Sequence, residues 1–288
     1  MFSAIAPWFT LPFLQISLLV ALAASLSGSL VGTYVVTKRI TMIAGTLSHA
    51  VLGGMGACLY MDRVHGLRCP PLWGALISAL LISLLLGWLH RHHRQREDAV
   101  MSIIWAVGMA IGIILISCTP GSNVDILSFL FGNLLWVDMT DLALLGGLCV
   151  SLFVILWLFH RRFTAICFDA DQAELQGIAV GRTYQLLLML IAVTVVVLTA
   201  VVGSVLVLSL LTLPPCIAAL FQRRIMGMMV TSCVIGCSLC LMGLFVSYPL
   251  DWPPGATIAL LSGVAYGVAL LVPYARAGLR SIRKVPTA

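Results

Sequence analysis

Long apolar runs alternate with short polar segments along the whole chain, and this pattern predicts membrane-spanning helices. A helix needs about 20 apolar residues to cross a hydrocarbon core of about 30 Å. We interpret the pattern as nine spans, with eight as the alternative. Their approximate positions are Pro12–Val36, a segment that starts near Ile40 and contains His49, Leu72–Leu89, Ala99–Cys118, Leu142–Phe159, two spans between Arg182 and Arg224 that turn at Gly203 and Ser204, Met226–Val246 and Ala256–Val272.

The span count depends on the segment from Asp125 to Asp141, which has acids at both ends and an apolar centre. We expect a short or re-entrant helix there, near the outer interface, with Trp136 at the level of the headgroups. Further along, Pro214 and Pro215 are expected to break a span and to free backbone carbonyls that must face protein or a water-lined cavity. The predicted fold class is all-α, a polytopic helical membrane protein with a single transmembrane domain over residues 1–288.

Composition and charge support a membrane protein and give it an orientation. The chain is 61% hydrophobic and only 9% charged, which is far too apolar for one soluble core. Of its 16 Lys and Arg, only Arg63 and Arg68 fall in a predicted external loop, so 16 − 2 = 14 lie on the cytoplasmic side. The first span therefore starts outside and the last ends inside. The net charge of +6 is a topology signal, and we expect a lipid bilayer rather than nucleic acid around the chain.

The cysteines and most histidines have ordinary explanations. The nine cysteines show no disulfide-framework spacing, and small thiols pack well between helices. Cys233, Cys237 and Cys240 share one helix face, where close packing is favoured over a three-thiolate metal site. The segment from His90 to Arg96 carries three histidines among its arginines, but a basic cytoplasmic loop is required there and the cationic groups repel a metal ion.

His49 is different, because it lies well inside a predicted span. As a helix, this segment places Gly45, His49, Gly53 and Gly56 on one stripe, along which another helix can approach closely. Burial disfavours the charged imidazolium, and the neutral ring is the form that binds a metal cation. Two interpretations remain open from the spacing: a metal ligand, or a packing histidine that is hydrogen-bonded to a neighbouring helix.

One cytoplasmic segment departs from the basic pattern. Phe168 to Ile178 carries three acids, with acids in its opening turn and Ala173 and Gly177 four residues apart. This predicts a short capped helix with a small contact face, which is too short to be stable without a surface to pack on. The alternative is an ordinary surface connector.

The chain has no ATP-hydrolysing loop of the Walker A type. Its only lysines, Lys38 and Lys284, do not follow a glycine as that motif requires. Either the protein moves a solute passively, or an ATPase docks on it from the cytoplasm.

Five segments, in order, resemble the permease subunits of bacterial ABC importers for zinc, manganese and iron, the ABC-3 class, over nearly the whole chain. They are Gly32–Arg39 leading into Gly45–Ala50, Asp125–Gly132, Ala173–Ile178, Val202–Val207 running into Leu213-Pro214-Pro215, and Pro253–Thr257. The resemblance implies a type II importer-like permease dimer in the bacterial inner membrane. Its partners would be a cytoplasmic ABC ATPase, a second permease subunit and an extracytoplasmic metal-binding protein. It also implies that the chain is not itself an enzyme and that the divalent metal is a substrate, not a permanent cofactor.

The resemblance also assigns roles to residues. His49 matches the family's intramembrane metal ligand. The segment at about 168–178 looks like the coupling helix that enters a groove of the ATPase; the residues expected to couple are Asp169, Ala173, Glu174, Gly177 and Ile178.

One departure from the family pattern changes the expected site. The family usually carries Asp one helical turn before its histidine, and this chain has Gly45 there. Loss of the acid disfavours manganese more than zinc. It also predicts a heterodimer with a permease that keeps the acid, although a homodimer remains the alternative. A secondary metal carrier or channel, which would need acids within its spans and no ATPase, is the alternative function, and an intramembrane enzyme is a further one.

Overall fold

The computed structural model describes residues 12–92, 97–120, 126–132 and 134–282, and within them every regular element is a helix. These are α1 Pro12–Thr37, α2 Thr41–His65, α3 Pro71–His92, α4 Glu97–Ser117, α5 Ile126–Phe131, a 3-10 turn Leu134–Trp136, α6 Met139–Phe168, α7 Ala170–Leu175, α8 Val180–Val202, α9 Ser204–Phe221, α10 Ile225–Leu250 and α11 Pro254–Ile282. Nine of the helices in these described ranges are long and apolar enough to cross a membrane, which confirms the larger span count. Residues 93–96 of the histidine-rich loop and Asp125 lie outside the described residues.

The centre of the molecule is formed by α8 and α9, which are buried along most of their length. Both contact α1 on one side and α2 on the other, and α3, α4, α6, α10 and α11 pack around these four. Because a membrane interior offers no water to polar groups, many hydroxyl side chains in the spans donate to a carbonyl of their own helix. Thr33 and Thr194, for example, donate to the carbonyls of Ser29 and Leu190 at 2.8 and 2.7 Å.

The turn at Gly203 and Ser204 is confirmed, but the expected break at Pro214 and Pro215 is wrong. Helix α9 continues through both prolines to Phe221. A proline leaves the carbonyl four residues earlier without its helical donor, here those of Leu210 and Leu211. Glycines of α1 pack against the turn of α9 that contains these two carbonyls. A Cβ on Gly32 would collide with the Leu211 carbonyl. The freed carbonyls therefore face protein, as expected, and close packing keeps the helix continuous.

Helix α6 extends nine residues beyond the predicted end of its span at Phe159. Its extension packs on the cytoplasmic end of α1: the Tyr34 hydroxyl lies 2.6 Å from His160 Nδ1, and Lys38 Nζ donates to the Ile166 carbonyl at 2.6 Å. Phe163 is fully buried in the same contact. The basic residues that suggested the end of a span are thus part of a continuous helix that leads towards α7.

The segment before α6, which the charge pattern places outside, contains a short helix, α5, as expected of Asp125 to Asp141. Three of the sequence segments behind the family resemblance meet here through glycines. A Cβ on Gly203 would collide with the Gly132 amide, and a Cβ on Gly255 would collide with the Phe131 carbonyl. Gly132 and Gly203 also have positive φ angles of 69° and 85°. We call this contact of α5, the α8–α9 turn and the start of α11 the glycine junction.

Cys58 and Cys69 form a disulfide, which corrects the expectation that the cysteines only pack as thiols. The bridge joins the outer part of α2 to the residue just before Pro70 and closes the loop that the charge pattern places outside. Disulfides persist outside the reducing cytoplasm, so the bridge agrees with this orientation. The sequence did not reveal this bridge. The two cysteines are 11 residues apart, one in an apolar run and one in a loop, and this spacing matches no disulfide framework.

Candidate functional site

His49 lies about one third of the way along α2, where its ring stacks flat on Trp105 of α4. The two ring centroids are 4.8 Å apart and the planes differ by 5°. The Nδ1 atom is buried and has no hydrogen-bond partner among the described residues. The hydrogen bond to a neighbouring helix that a packing histidine would make through this atom is therefore not found in the described part of the chain. A buried polar atom without a partner is costly, which favours a ligand for it.

The glycine stripe on α2 is the surface against which α4 packs. A Cβ at Gly53 would come within 2.8 Å of the Gly108 carbonyl oxygen, and one at Gly56 within 2.9 Å of that of Gly112. Small residues on both helices thus allow their backbones to touch, the arrangement expected between membrane helices. This contact places Trp105 against His49 and fixes the orientation of the ring.

The position of the missing acid, Gly45, is buried next to the same tryptophan. A Cβ there would lie 3.7 Å from both Leu208 Cδ1 and Trp105 Cζ3, which is ordinary contact. The Thr46 hydroxyl donates to the carbonyl of Met42 at 3.0 Å and also lies 3.4 Å from that of Met101. The site therefore has room for a Cβ at Gly45, while the neighbouring Thr46 hydroxyl is already hydrogen-bonded.

The described residues contain no group of three or more His, Cys, Asp and Glu side chains that could hold a metal ion. Cys233, Cys237 and Cys240 do not form one, and His160 is engaged by Tyr34. The described part of this chain therefore does not supply a complete set of three such ligands around His49.

The short acidic segment is a capped helix, α7. The Asp169 carboxylate accepts from the backbone amides of Asp171 and Gln172, both at 3.0 Å, as an N-cap. Ala173 is only 2% exposed, and Ile178 also packs against the main core. These two residues attach α7 to the permease itself.

Gly177 has a different role from the expected helical contact face, because α7 ends at Leu175. Its φ angle is 81°, and its amide and that of Ile178 donate to the carbonyls of Glu174 and Ala173 at 2.9 and 3.1 Å. This is the glycine-terminated helix end known as a Schellman motif. A Cβ at Gly177 would meet nothing within 4 Å, so the glycine is needed for its backbone conformation.

Leu175 was not among the expected coupling residues, yet it is the most exposed large apolar side chain described, at 90%. Glu174 beside it is exposed as well. The sequence feature that could have identified Leu175 is an apolar side chain within an acidic segment that is expected in the cytoplasm. The outer surface of α7 is thus a leucine surrounded by acids.

The comparisons with known proteins decide the family. The model of the ABC 3 transport family matches residues 10–273. The chain belongs to the ABC 3 transport family. A probable metal transport system membrane protein of Chlamydia pneumoniae is 42% identical over 270 residues, 94% of this chain and 92% of that protein. The manganese transport system membrane protein MntC of Halalkalibacterium halodurans is 29% identical over 257 residues, 89% of this chain and 86% of that protein.

A solved structure extends this result to the fold. PsaBC from Streptococcus pneumoniae in complex with Fab matches with a TM-score of 0.81 and 25% identity, covering 93% of this chain and 95% of that chain. This ABC 3 family member is therefore a multi-pass permease of the metal ABC transporter class, with a type II importer-like fold, in the bacterial inner membrane. The resemblance seen in the sequence is confirmed.

Proposed function

We propose that this permease is one half of a dimer in an ATP-driven importer that moves a divalent transition metal, zinc, manganese or iron, along the seam between the two halves. The membrane proteins it resembles are named for metal transport. The chain lacks a Walker A lysine, so a separate cytoplasmic ABC ATPase supplies the energy. An extracytoplasmic metal-binding protein delivers the ion to the outer face.

The observation that carries the metal role is the buried Nδ1 of His49, which has no partner among the described residues. A neutral imidazole nitrogen binds zinc, manganese or iron directly. Trp105 holds the ring plane by stacking, so the nitrogen points in a defined direction when an ion arrives. His49 is therefore proposed as a transient ligand of the passing metal.

A second permease subunit completes the proposed site. In a homodimer the two copies would offer two imidazoles and no carboxylate, because Gly45 replaces the acid. A different permease that carries Asp at the equivalent position would add an anion to balance the charge of the ion, which suits zinc and is required more strongly by manganese. The proposed assembly is therefore a heterodimer.

Helix α7 is the proposed contact with the ATPase. Asp169 caps it, Ala173 and Ile178 hold it on the permease, and Gly177 ends it. Glu174 and the exposed Leu175 then point outward to the partner. An exposed apolar residue surrounded by polar ones is typical of the centre of a docking contact.

The test is to express this chain with its ATPase alone and then with each neighbouring permease, and to measure metal uptake into vesicles together with subunit stoichiometry. The proposal expects uptake only when the ATPase and a second permease are present. Active complexes with two copies of this chain would refute the heterodimer. ATP-independent uptake by the chain alone would replace the whole proposal with a secondary carrier.

A further inference from the structure

A groove of about 470 Å³ opens on the surface between α6 and α10, with α1 as its floor. Phe153 and Trp157 of α6 form one wall and Val230 and Val234 of α10 the other, and all four are exposed. The buried side chains of Leu156 and Met229 lie deeper. We call this the α6–α10 groove.

The dimensions of the groove match one leaflet of a membrane. It runs from Phe153 to Arg161 on α6 and from Val234 to Met226 on α10, eight residues along each helix. At 1.5 Å per residue this is about 12 Å, against about 15 Å for half of a hydrocarbon core. Arg161 and Met226 are at its cytoplasmic end, because the basic residues at 160–162 and 223–224 lie on that side. The groove thus reaches from the cytoplasmic interface almost to the bilayer centre.

The charge of the groove is entirely of one sign. Arg161 lines its cytoplasmic end and is exposed, and no Asp or Glu lines any part of it. His160, beside Arg161, is held in place by its 2.6 Å contact with the Tyr34 hydroxyl. A long apolar slot that ends in a guanidinium at the membrane surface fits an amphiphile with a negatively charged head.

A lipid fits this groove better than a helix from a second subunit. Membrane helices associate through small residues. The apolar lining of the groove is phenylalanine, tryptophan, methionine, leucine and valine, and Cys233 is the one small residue in it. Exposed small residues occur elsewhere, at Gly263 and Gly267 of α11, where an added Cβ would meet nothing within 4 Å. The groove helices α6 and α10 both pack on α1, whereas the helix of His49 packs chiefly on α3 and α4.

We propose that the α6–α10 groove binds an anionic phospholipid of the cytoplasmic leaflet, with one acyl chain along Phe153, Trp157 and Val230 and the phosphate at Arg161. The lipid fills a surface defect between two helices that both pack on α1. This assignment does not depend on the metal or on the ATPase.

The test compares four variants of the full-length chain purified in mild detergent, with the number of bound phosphatidylglycerol molecules counted by native mass spectrometry during titration. Arg161→Gln removes the headgroup contact, and Val230→Trp fills the slot. Arg182→Gln is the matched control at another cytoplasmic position. Val264→Trp is the control for bulk, because Val264 on α11 is 57% exposed and Val230 is 59% exposed.

We expect Arg161→Gln to weaken phosphatidylglycerol binding about fivefold, the effect of one arginine at an anionic surface. Val230→Trp should weaken it at least as much, and both controls should bind as the unmodified chain does. Phosphatidylcholine should compete poorly. Equal binding in all four variants, or equal binding of phosphatidylcholine, would overturn the assignment. A cross-link between two copies through Trp157→Cys would also overturn it, by identifying a second permease as the occupant.

Discussion

At the residue scale, His49 combines a fixed ring with an unpaired nitrogen. Trp105 stacks on the ring at 4.8 Å, and Nδ1 is buried without a partner among the described residues. A histidine that only packed would be expected to pair this atom. The flat stack uses the face of the ring, so a partner for this nitrogen would have to approach at the ring edge.

We predict that His49→Ala weakens metal binding by the assembled transporter by at least about tenfold, since even the loss of a supporting residue commonly costs 10- to 100-fold. Metal titration of the purified complex measures this. His65→Ala is the control, because His65 is on the same helix but exposed at its outer end. Subunit assembly should be unchanged in both variants. Equal binding by the two variants would remove His49 from the metal path.

Gly45→Asp is predicted to add a ligand to this site. A Cβ at this position would lie 3.7 Å from its nearest neighbours, so the backbone here accepts a side chain without a clash at Cβ. A carboxylate one turn before His49 should hold the divalent ion more tightly and slow its release. Metal retention should rise while the rate of uptake falls. A variant that binds metal no better than the unmodified complex would show that position 45 does not face the ion.

At the scale of elements, two glycine-dependent contacts position the functional parts. On the cytoplasmic side, the Schellman end at Gly177 sets how α7 leaves the permease surface. On the external side, the glycine junction joins α5 to the α8–α9 turn and to α11. At Gly177 the positive φ angle disfavours most side chains, and at the glycine junction the closeness of two backbones excludes one, so these glycines are structural.

We predict that Gly177→Leu lowers stimulation of the ATPase by the permease, whereas Gly177→Asn largely preserves it. The positive φ of 81° costs a leucine about 1–2 kcal/mol, and asparagine tolerates this region better. The loss arises from a displaced α7, since the position itself has open space around it. ATPase rates of the purified complexes measure it. Equal losses in the two variants would mean that the ATPase contacts this position directly.

The glycine junction is predicted to be a weak point for folding. Gly132→Ala would force a Cβ into the Val202 carbonyl at a residue with positive φ, and we expect a loss of at least about 2 kcal/mol of stability. Gly263→Ala on α11 is the control, because its Cβ would meet nothing within 4 Å. Thermal unfolding in detergent measures both. Indistinguishable midpoints would contradict the close packing of α5 on the α8–α9 turn.

At the scale of the whole molecule, one orientation of the protein in the membrane agrees with the charge pattern, the disulfide and the nine spans. The loop after α2 is external by charge and is closed by the Cys58–Cys69 bridge. Helix α7 follows the basic end of α6, which the charge pattern places in the cytoplasm. The proposed metal site on α2 and the proposed ATPase contact on α7 are therefore at different depths of the same protein.

This orientation predicts opposite labelling of two engineered cysteines in a thiol-free background. Gly66→Cys should react with a membrane-impermeant reagent added outside, because Gly66 is exposed in the loop after α2. Glu174→Cys on α7 should react only in inverted vesicles. Both positions are exposed, so accessibility differs only by membrane side. Equal labelling of the two cysteines by a reagent added to the same side of the membrane would exclude the nine-span topology.

The number of spans and the short acidic helix were predictable from the sequence. The orientation stays a prediction from the charge pattern. These features depend on local information: the length of an apolar run, the charges at its ends, and the capping residues around Asp169. His49 was identifiable for the same reason, as an ionisable side chain within a run that otherwise lacked one.

The contacts between helices could not be predicted from the sequence, because they depend on which helices become neighbours in the tertiary structure. The sequence could not show that Trp105 stacks on His49, that glycines of α1 accommodate the carbonyls freed in α9, or that Cys58 meets Cys69. The spans are mostly apolar on all sides, so hydrophobicity shows that a segment is in the membrane but not which of its sides faces protein. That choice is made by the fit of small residues against backbones, which is a property of pairs of helices.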